Sequence, residues 1–197
     1  MADYTTVYEL KNAIGIADAV DDLKLGAAVS AASAWIDSYC GRTFVQASGT
    51  ATRTFVPTGM MDALAIDDAT SIVAVNIDDD LDNTFGEALT TADWQAQPVN
   101  GTTGGINWPY NTLLPIEDGY WPMERGRATV QVQATFGWDD TPIQVRQAAI
   151  LQASRLFKRF DSPLGVAGFG DLGVLRVSRF VDPDVEMLLA PFRRWRF

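Results

Sequence analysis

The sequence predicts an α+β chain: a small helical bundle, with helices at about residues 6–13, 21–40, 142–160 and 183–190, carrying an inserted antiparallel β module and an extended glycine-rich arm. Three observations predict it. Two long stretches repeat apolar side chains at helical spacing, the residues between them break into short β-like runs, and glycines crowd the segment after the second stretch. The chain reads as one domain of 197 residues, with 44–138 as the β-rich insertion, 161–181 as the arm and 182–197 as a C-terminal docking segment.

The first helix is announced by Thr6 and Glu9, a capping-box spacing before Leu10, and by Gly15 beyond its end. The second carries Leu25, Ala28, Val29, Ala32, Trp35, Ile36 and Tyr39 on one stripe and stops at Gly41. Its other side is small, at Ala27, Ser30, Ala31 and Ala34, and either admits a close helix neighbour or is a solvated face of good helix formers. The third opens with Thr141 as N-cap and Pro142 at the first helical position. Ile143, Val145, Ala149, Ile150, Ala153, Leu156, Phe157 and Phe160 then fall on one arc, opposite Arg155, Lys158 and Arg159. Arg146 lies within that arc, and either meets an acid at a subunit boundary or runs its stem along the surface.

Between these helices, Arg53–Val56, Leu64–Ile66, Ser71–Ile77 and Thr129–Phe136 read as strands, and 97–115 as a loop with turn signals at Asn100-Gly101 and Gly104-Gly105. Trp94, Trp108, Tyr110, Trp121 and Trp138 are expected to cover the small sheet, with a sugar-stacking platform as the alternative. In the arm, Gly165, Gly168, Gly170 and Gly173 alternate with Leu164, Val166, Phe169 and Leu172, an apolar content unlike that of a solvated linker. The reading is an arm that orders against another subunit, through those four and Arg176 and Arg179; the alternative is a surface loop. Asp182-Pro183-Asp184 starts the last helix, Val185, Leu188, Leu189 and Phe192 give it one apolar face, and Arg193, Arg194, Trp195, Arg196 and Phe197 close the chain like an interface anchor.

Composition bounds the chemistry. A content of 47% hydrophobic residues suffices for a packed core. No apolar run approaches the roughly 20 residues of a membrane helix, and the first residues lack the pattern of a signal peptide, so neither export nor a membrane span is expected. A single cysteine, Cys40, precludes an internal disulfide, agrees with a reducing cytoplasm and reads as a small core side chain. The net charge of −10 is unevenly spread: residues 1–120 hold four Lys/Arg against seventeen Asp/Glu, and 121–197 hold eleven against eight. An acidic majority opposes direct gripping of DNA and suits a passage for it.

The absence of histidine removes the usual general base and excludes Ser/His/Asp and Cys/His catalysis. Asp78, Asp80 and Asp82 match the first ligands of a calcium loop, but Asn83 and Leu89 stand where glycine and glutamate are needed, so a solvated acidic turn is expected. Gly168, Gly170 and Gly173 spell a dinucleotide-binding pattern in the wrong context, after a helix instead of a strand. The acid pairs Asp67/Asp68, Asp139/Asp140 and Glu117/Asp118 leave a carboxylate-based hydrolase as a formal option, although such pairs are common in turns of acidic proteins. No catalytic residue, cofactor or metal ligand is assigned.

Four passages together resemble a known family: the opening YTTVYELKNAIGI; SAASAWIDSYCGRTF at the end of the second helix; FGW-x-x-TP-x-x-VRQAAILQASRLFKR; and DSPLGVAGFGDLGVLRVSR with DPDVEMLLAPFRR. The combination is similar to the head-to-tail connector, or neck adaptor, proteins of long-tailed bacteriophages and gene-transfer particles. The resemblance covers both ends of the chain and leaves the middle unmatched. It implies a structural virion protein of the neck, made in the bacterial host cytoplasm, without turnover. It further implies a homo-oligomeric ring, commonly twelvefold, beneath the portal protein and above a head-completion or tail-side neck protein. Double-stranded DNA would pass through without sequence-specific binding, Val185 to Phe197 would dock on the portal, and the arm from Ser162 to Arg179 would touch a neighbouring subunit or the channel. The alternative class is a binding module that presents the β insertion to an outside partner.

Overall fold

The computed structural model describes residues 3–160, 166–168, 174–176 and 182–194, with the backbone alone at 166–168 and 174–176. The fold is α+β, with four α-helices and an antiparallel sheet, and the chain divides into a helical unit (Met1–Thr43 with Thr141–Phe197) and a β unit (Phe44–Asp140).

In the helical unit, α1 (Val7–Ile14) starts at a complete capping box: Thr6 Oγ1 accepts from the Glu9 N–H, and the Glu9 carboxylate accepts from the Thr6 N–H. Helix α2 (Asp22–Cys40) buries Leu25, Ala28, Val29, Ala32, Ser33, Ile36 and Cys40, and both helices end on a left-handed glycine, Gly15 or Gly41. Helix α3 (Ile143–Phe160) packs against α1, α2 and α4 (Pro183–Leu189), which is followed by a 3-10 turn at Ala190–Phe192. Leu10, Leu25, Ala28, Val29, Ala32, Ala153 and Phe157 form the shared core, in which three alanines let the helix axes come close. Burial also disposes of Cys40, whose thiol is pushed up to about 12 by desolvation and is therefore an inert core side chain. No helix of the described residues is long and apolar enough to cross a membrane.

Several expectations are corrected or resolved here. Ile143 and Phe160 are exposed, because the stripe of α3 runs past the ends of the helices it packs on, while Ala148 is buried instead. Arg146 is exposed beyond the buried arc, where its charge acts on Glu9. At the start of α3 the Pro142 carbonyl accepts from Val145 at 3.0 Å and from Arg146 at 3.1 Å. Ala27, Ser30 and Ala31 of α2 are exposed, and Ala34 is half-buried. In the arm, β9 (Val166–Gly168) pairs antiparallel with β10 (Val174–Arg176), so that part of the segment turns back on itself. Gly170 and Gly173 of the dinucleotide-like pattern lie outside the described residues.

The β unit is a six-stranded antiparallel sheet in the order β1 (Ala51–Phe55), β8 (Val130–Phe136), β2 (Leu64–Ile77), β7 (Tyr110–Pro115), β4 (Trp94–Gln97). Strand β3 (Glu87–Leu89) pairs with the far end of β2, at Val75–Ile77, whereas β7 takes its near end, Leu64–Ala69. Two strands expected at 64–66 and 71–77 are thus one. The intervening Asp67 and Asp68 are not a turn, and the alternation changes phase at a bulge: Leu64, Ile66 and Asp68 are buried, then Ala69, Val75 and Ile77. The expected loop at 97–115 likewise holds β7 and a hairpin of β5 (Thr102–Thr103) and β6 (Ile106–Asn107), turned by Gly104-Gly105. The interior contains Trp121, wholly buried, whose indole donates to the Asp62 carbonyl at 2.9 Å. Chain entry and exit lie side by side: the Ala47 N–H donates to the Phe136 carbonyl at 2.7 Å and Gln46 donates to Asp139 at 2.9 Å. Gly137 makes this approach possible, since its φ is +110° and a Cβ there would stand 2.1 Å from the Val45 carbonyl oxygen. The division also sharpens the charge pattern: the β unit has fourteen Asp/Glu against three Lys/Arg, and the helical unit eleven against twelve.

Two measurements test this packing. Ile36→Ala, at a position with 0% exposure, is expected to cost about 2–5 kcal/mol in urea unfolding, whereas Ile143→Ala, 76% exposed, should stay within about 0.5 kcal/mol. Glu9 is held below its ordinary value of 4.5, first by the Thr6 backbone N–H and then by the Thr5 hydroxyl. A depressed carboxylate contributes stability above its unfolded pKa and loses it as pH falls through the folded one. The stability gap between the wild type and Glu9→Ala should therefore narrow on acidification below 4.5; a constant gap would show that the capping carboxylate contributes nothing.

Candidate functional site

The C-terminal segment is seated on the helical unit by its own apolar face. Asp182 caps α4 through the Asp184 N–H and pairs with Arg155 of α3 at 3.5 Å. Val185, Leu189 and Phe192 are wholly buried and Leu188 is half-buried. Side chains without accessible surface cannot meet a partner while the segment keeps this position, so these three anchor it. Arg193 lies 4.8 Å over the Tyr39 ring, Tyr39 donates to Glu186 at 3.3 Å, and the Arg194 N–H donates to the Cys40 carbonyl at 2.8 Å. The segment therefore clasps the end of α2. What it turns outward includes Met187, which is exposed. Trp195, Arg196 and Phe197 lie outside the described residues, as do Leu164, Phe169, Leu172 and Arg179 of the arm; Val166 and Arg176 are opposite each other in the β9–β10 register.

Several of the carboxylates that suggested chemistry are already engaged. Asp67 pairs with Arg53 at 2.7 Å, while Asp68, buried, accepts from the Trp138 indole at 2.8 Å. Asp78, Asp80 and Asp82 come closer than their sequence pattern suggests, with ligand oxygens within 4.8 Å of one another. Asp78, however, is buried and accepts from the Asp82 N–H at 3.0 Å, the Asn83 N–H at 3.1 Å and Arg127 at 3.0 Å. Leu81 and Asn83 take left-handed backbone to complete the turn. This is a carboxylate-capped turn neutralised by an arginine, and its buried member is saturated by protein donors. Asp82 is held below the usual carboxylate range by the Thr84 hydroxyl and N–H.

The aromatic residues separate into two groups. Trp121 and Trp138 are core, and Trp94 is half-buried beside the sheet interior. Trp108 stacks obliquely on Trp138 with centroids 5.3 Å apart, and Trp138 in turn meets Phe44 at 5.2 Å. Trp108 and Tyr110, both half-buried, line a groove of about 130 Å³ with Thr70, Asn107 and Asp139. Gln46 joins two of these walls, donating to Thr70 at 3.0 Å and to Asp139 at 2.9 Å. Thr70 and Asp139 were not legible as partners of the aromatic pair, because β2 and the end of β8 bring them there from far along the chain. The only signal was the density of aromatics and turn residues between 94 and 110.

Removing the cation from the Asp78 turn should leave a buried charge unpaired. Arg127→Ala is expected to cost about 1–3 kcal/mol in thermal unfolding, and millimolar calcium should leave the wild-type melting temperature unchanged. A calcium-dependent rise would replace the capped turn by a metal site.

No family model and no curated protein matches the chain. Solved structures similar in fold include the following two. A chain from the neck of an empty gene transfer agent particle, computed with C6 symmetry, superposes with a TM-score of 0.54 at 18% identity, over 97% of this chain and 90% of that one. A chain from the virion of a native gene transfer agent particle gives the same TM-score, identity and coverage. The likeness embraces nearly the whole of both chains and is a likeness of fold.

Proposed function

We propose that the chain is a structural protein of a virion neck, an adaptor that assembles as a ring between the portal and the tail side of a phage-like particle. The observation that carries this reading is the fold shared with a gene transfer agent neck protein over 97% of the chain. It agrees with the four passages that resemble connector proteins, which lie in the helical unit apart from Phe44 and the FGW turn. A twelvefold ring contains the sixfold symmetry under which that neck was computed. Each subunit would offer neighbours its exposed apolar side chains, Leu23 at 92% and Ile143 among them, together with the arm residues Leu164, Val166, Phe169, Leu172, Arg176 and Arg179.

In this reading Val185, Leu189 and Phe192 fix the C-terminal segment on its own helices. Leu188, Arg193 and Arg194 with the terminal Trp195, Arg196 and Phe197 then meet the portal. The role is mechanical, with no turnover and no cofactor. The acidic surplus of the β unit keeps phosphate from adhering as DNA passes. The location that follows is the head-tail junction, reached after synthesis in the host cytoplasm. A second reading, a module that presents the β unit to an outside ligand, is favoured by the groove between Trp108, Tyr110 and Asp139.

Electron microscopy of particles made without this gene tests the neck role. Heads unattached to separately assembled tails are expected, and intact tailed particles would overturn the reading. Deleting residues 165–173 should leave a folded chain by circular dichroism that no longer enters particles; normal incorporation would remove the arm from the interface.

A further inference from the structure

We propose that the groove lined by Trp108, Tyr110, Thr70, Asn107 and Asp139 binds a neutral sugar. The site is built from supports as well as walls. Gln46 donates to both Thr70 and Asp139, and Thr70 donates onward to the Thr135 carbonyl at 3.2 Å, which fixes one carboxylate oxygen of Asp139. The second oxygen of Asp139, the amide nitrogen of Asn107 and the hydroxyl of Tyr110 have no hydrogen-bond partner among the described residues. Asn107 is itself oriented, since its carbonyl oxygen accepts from Thr102 at 2.9 Å across the hairpin. Gly101 keeps the far wall close, because a Cβ there would stand 2.6 Å from the Trp108 carbonyl oxygen.

This set of groups selects the ligand. The lining is mainly polar, with the Trp108 and Tyr110 rings adding a small apolar surface for one C–H edge of a pyranose, and a planar carboxylate and carboxamide suit adjacent hydroxyl groups. The volume of about 130 Å³ accommodates a single ring, with further units of a polysaccharide left outside. The lining contains no lysine or arginine, and the unit around it carries fourteen acids against three bases, so phosphorylated and uronic ligands are repelled. A particle with such a groove on its neck would gain a weak, repeated contact with a neutral surface glycan, strengthened by the number of copies.

The test uses the free full-length chain and the indole NMR signal of Trp108. The probes are the methyl glycosides of glucose, galactose, mannose and rhamnose, N-acetylglucosamine, glucuronate and choline. At least one neutral sugar should give a saturable shift at Trp108 with a Kd on the order of 1 mM. Asp139→Asn should weaken it about tenfold. Tyr110→Phe should weaken it to a lesser degree, while Asp80→Asn, which removes the same charge elsewhere, should not. Absence of a shift with every neutral sugar overturns the proposal. So does a shift indifferent to Asp139→Asn, or a stronger response to glucuronate or choline. Because no particle is involved, failure here leaves the neck reading standing, and failure of the neck reading leaves this result standing.

Discussion

The buried hydrogen bond from the Trp138 indole to Asp68 is the constraint on which the β unit turns. A carboxylate with 5% exposure in the middle of a strand is costly unless a donor faces it, and Trp138 supplies that donor while filling the space around it. Bringing that donor to one oxygen of Asp68 fixes the residue at which the chain leaves the sheet. The neighbouring Gly137 N–H adds a bond of 2.7 Å to the Asp68 carbonyl, so side chain and backbone of one residue hold the exit. Trp138 then positions Phe44 at the entry and Trp108 at the groove. One indole thus ties together the interior, the two chain ends of the β unit and the groove.

The same residue shows where sequence reasoning succeeds and stops. Signals confined to a few residues were legible: Thr6 with Glu9, Gly15 and Gly41 after their helices, and Asp182-Pro183 before α4 each specify a local hydrogen bond or backbone angle. The continuity of β2 was not, because Asp67 and Asp68 read as a turn until Arg53 and Trp138 are brought beside them, and the bulge reverses the alternation that would betray a strand. The stripe of α3 was legible in phase but not in extent, since Ile143 and Phe160 continue the period but are exposed. The C-terminal apolar face was visible too, but a periodic pattern does not say whether its partner is the chain itself or another protein. As for the groove, Trp108 and Tyr110 were conspicuous while Thr70 and Asp139 required the topology.

The two units divide labour electrostatically as well as architecturally. All the net negative charge belongs to the β unit, and the helical unit is close to balanced, with basic residues along α3 and at the C-terminus. Contacts between protein surfaces tolerate either sign when the partner complements it, whereas a surface near moving DNA must avoid attracting it. On the proposed reading, an assembly role for the helices and a non-adhesive or glycan-facing role for the sheet are compatible on one chain, because each unit has its own core.

The pairing of chain entry and exit at Ala47 and Phe136 has a genetic consequence. An element whose two ends emerge together can be gained, lost or exchanged by recombination without altering the path of the segments on either side. A gene lineage can then keep one set of helices while its sheets diversify. In such a lineage the boundary near residues 44 and 140 would be the point at which ancestry changes along the gene.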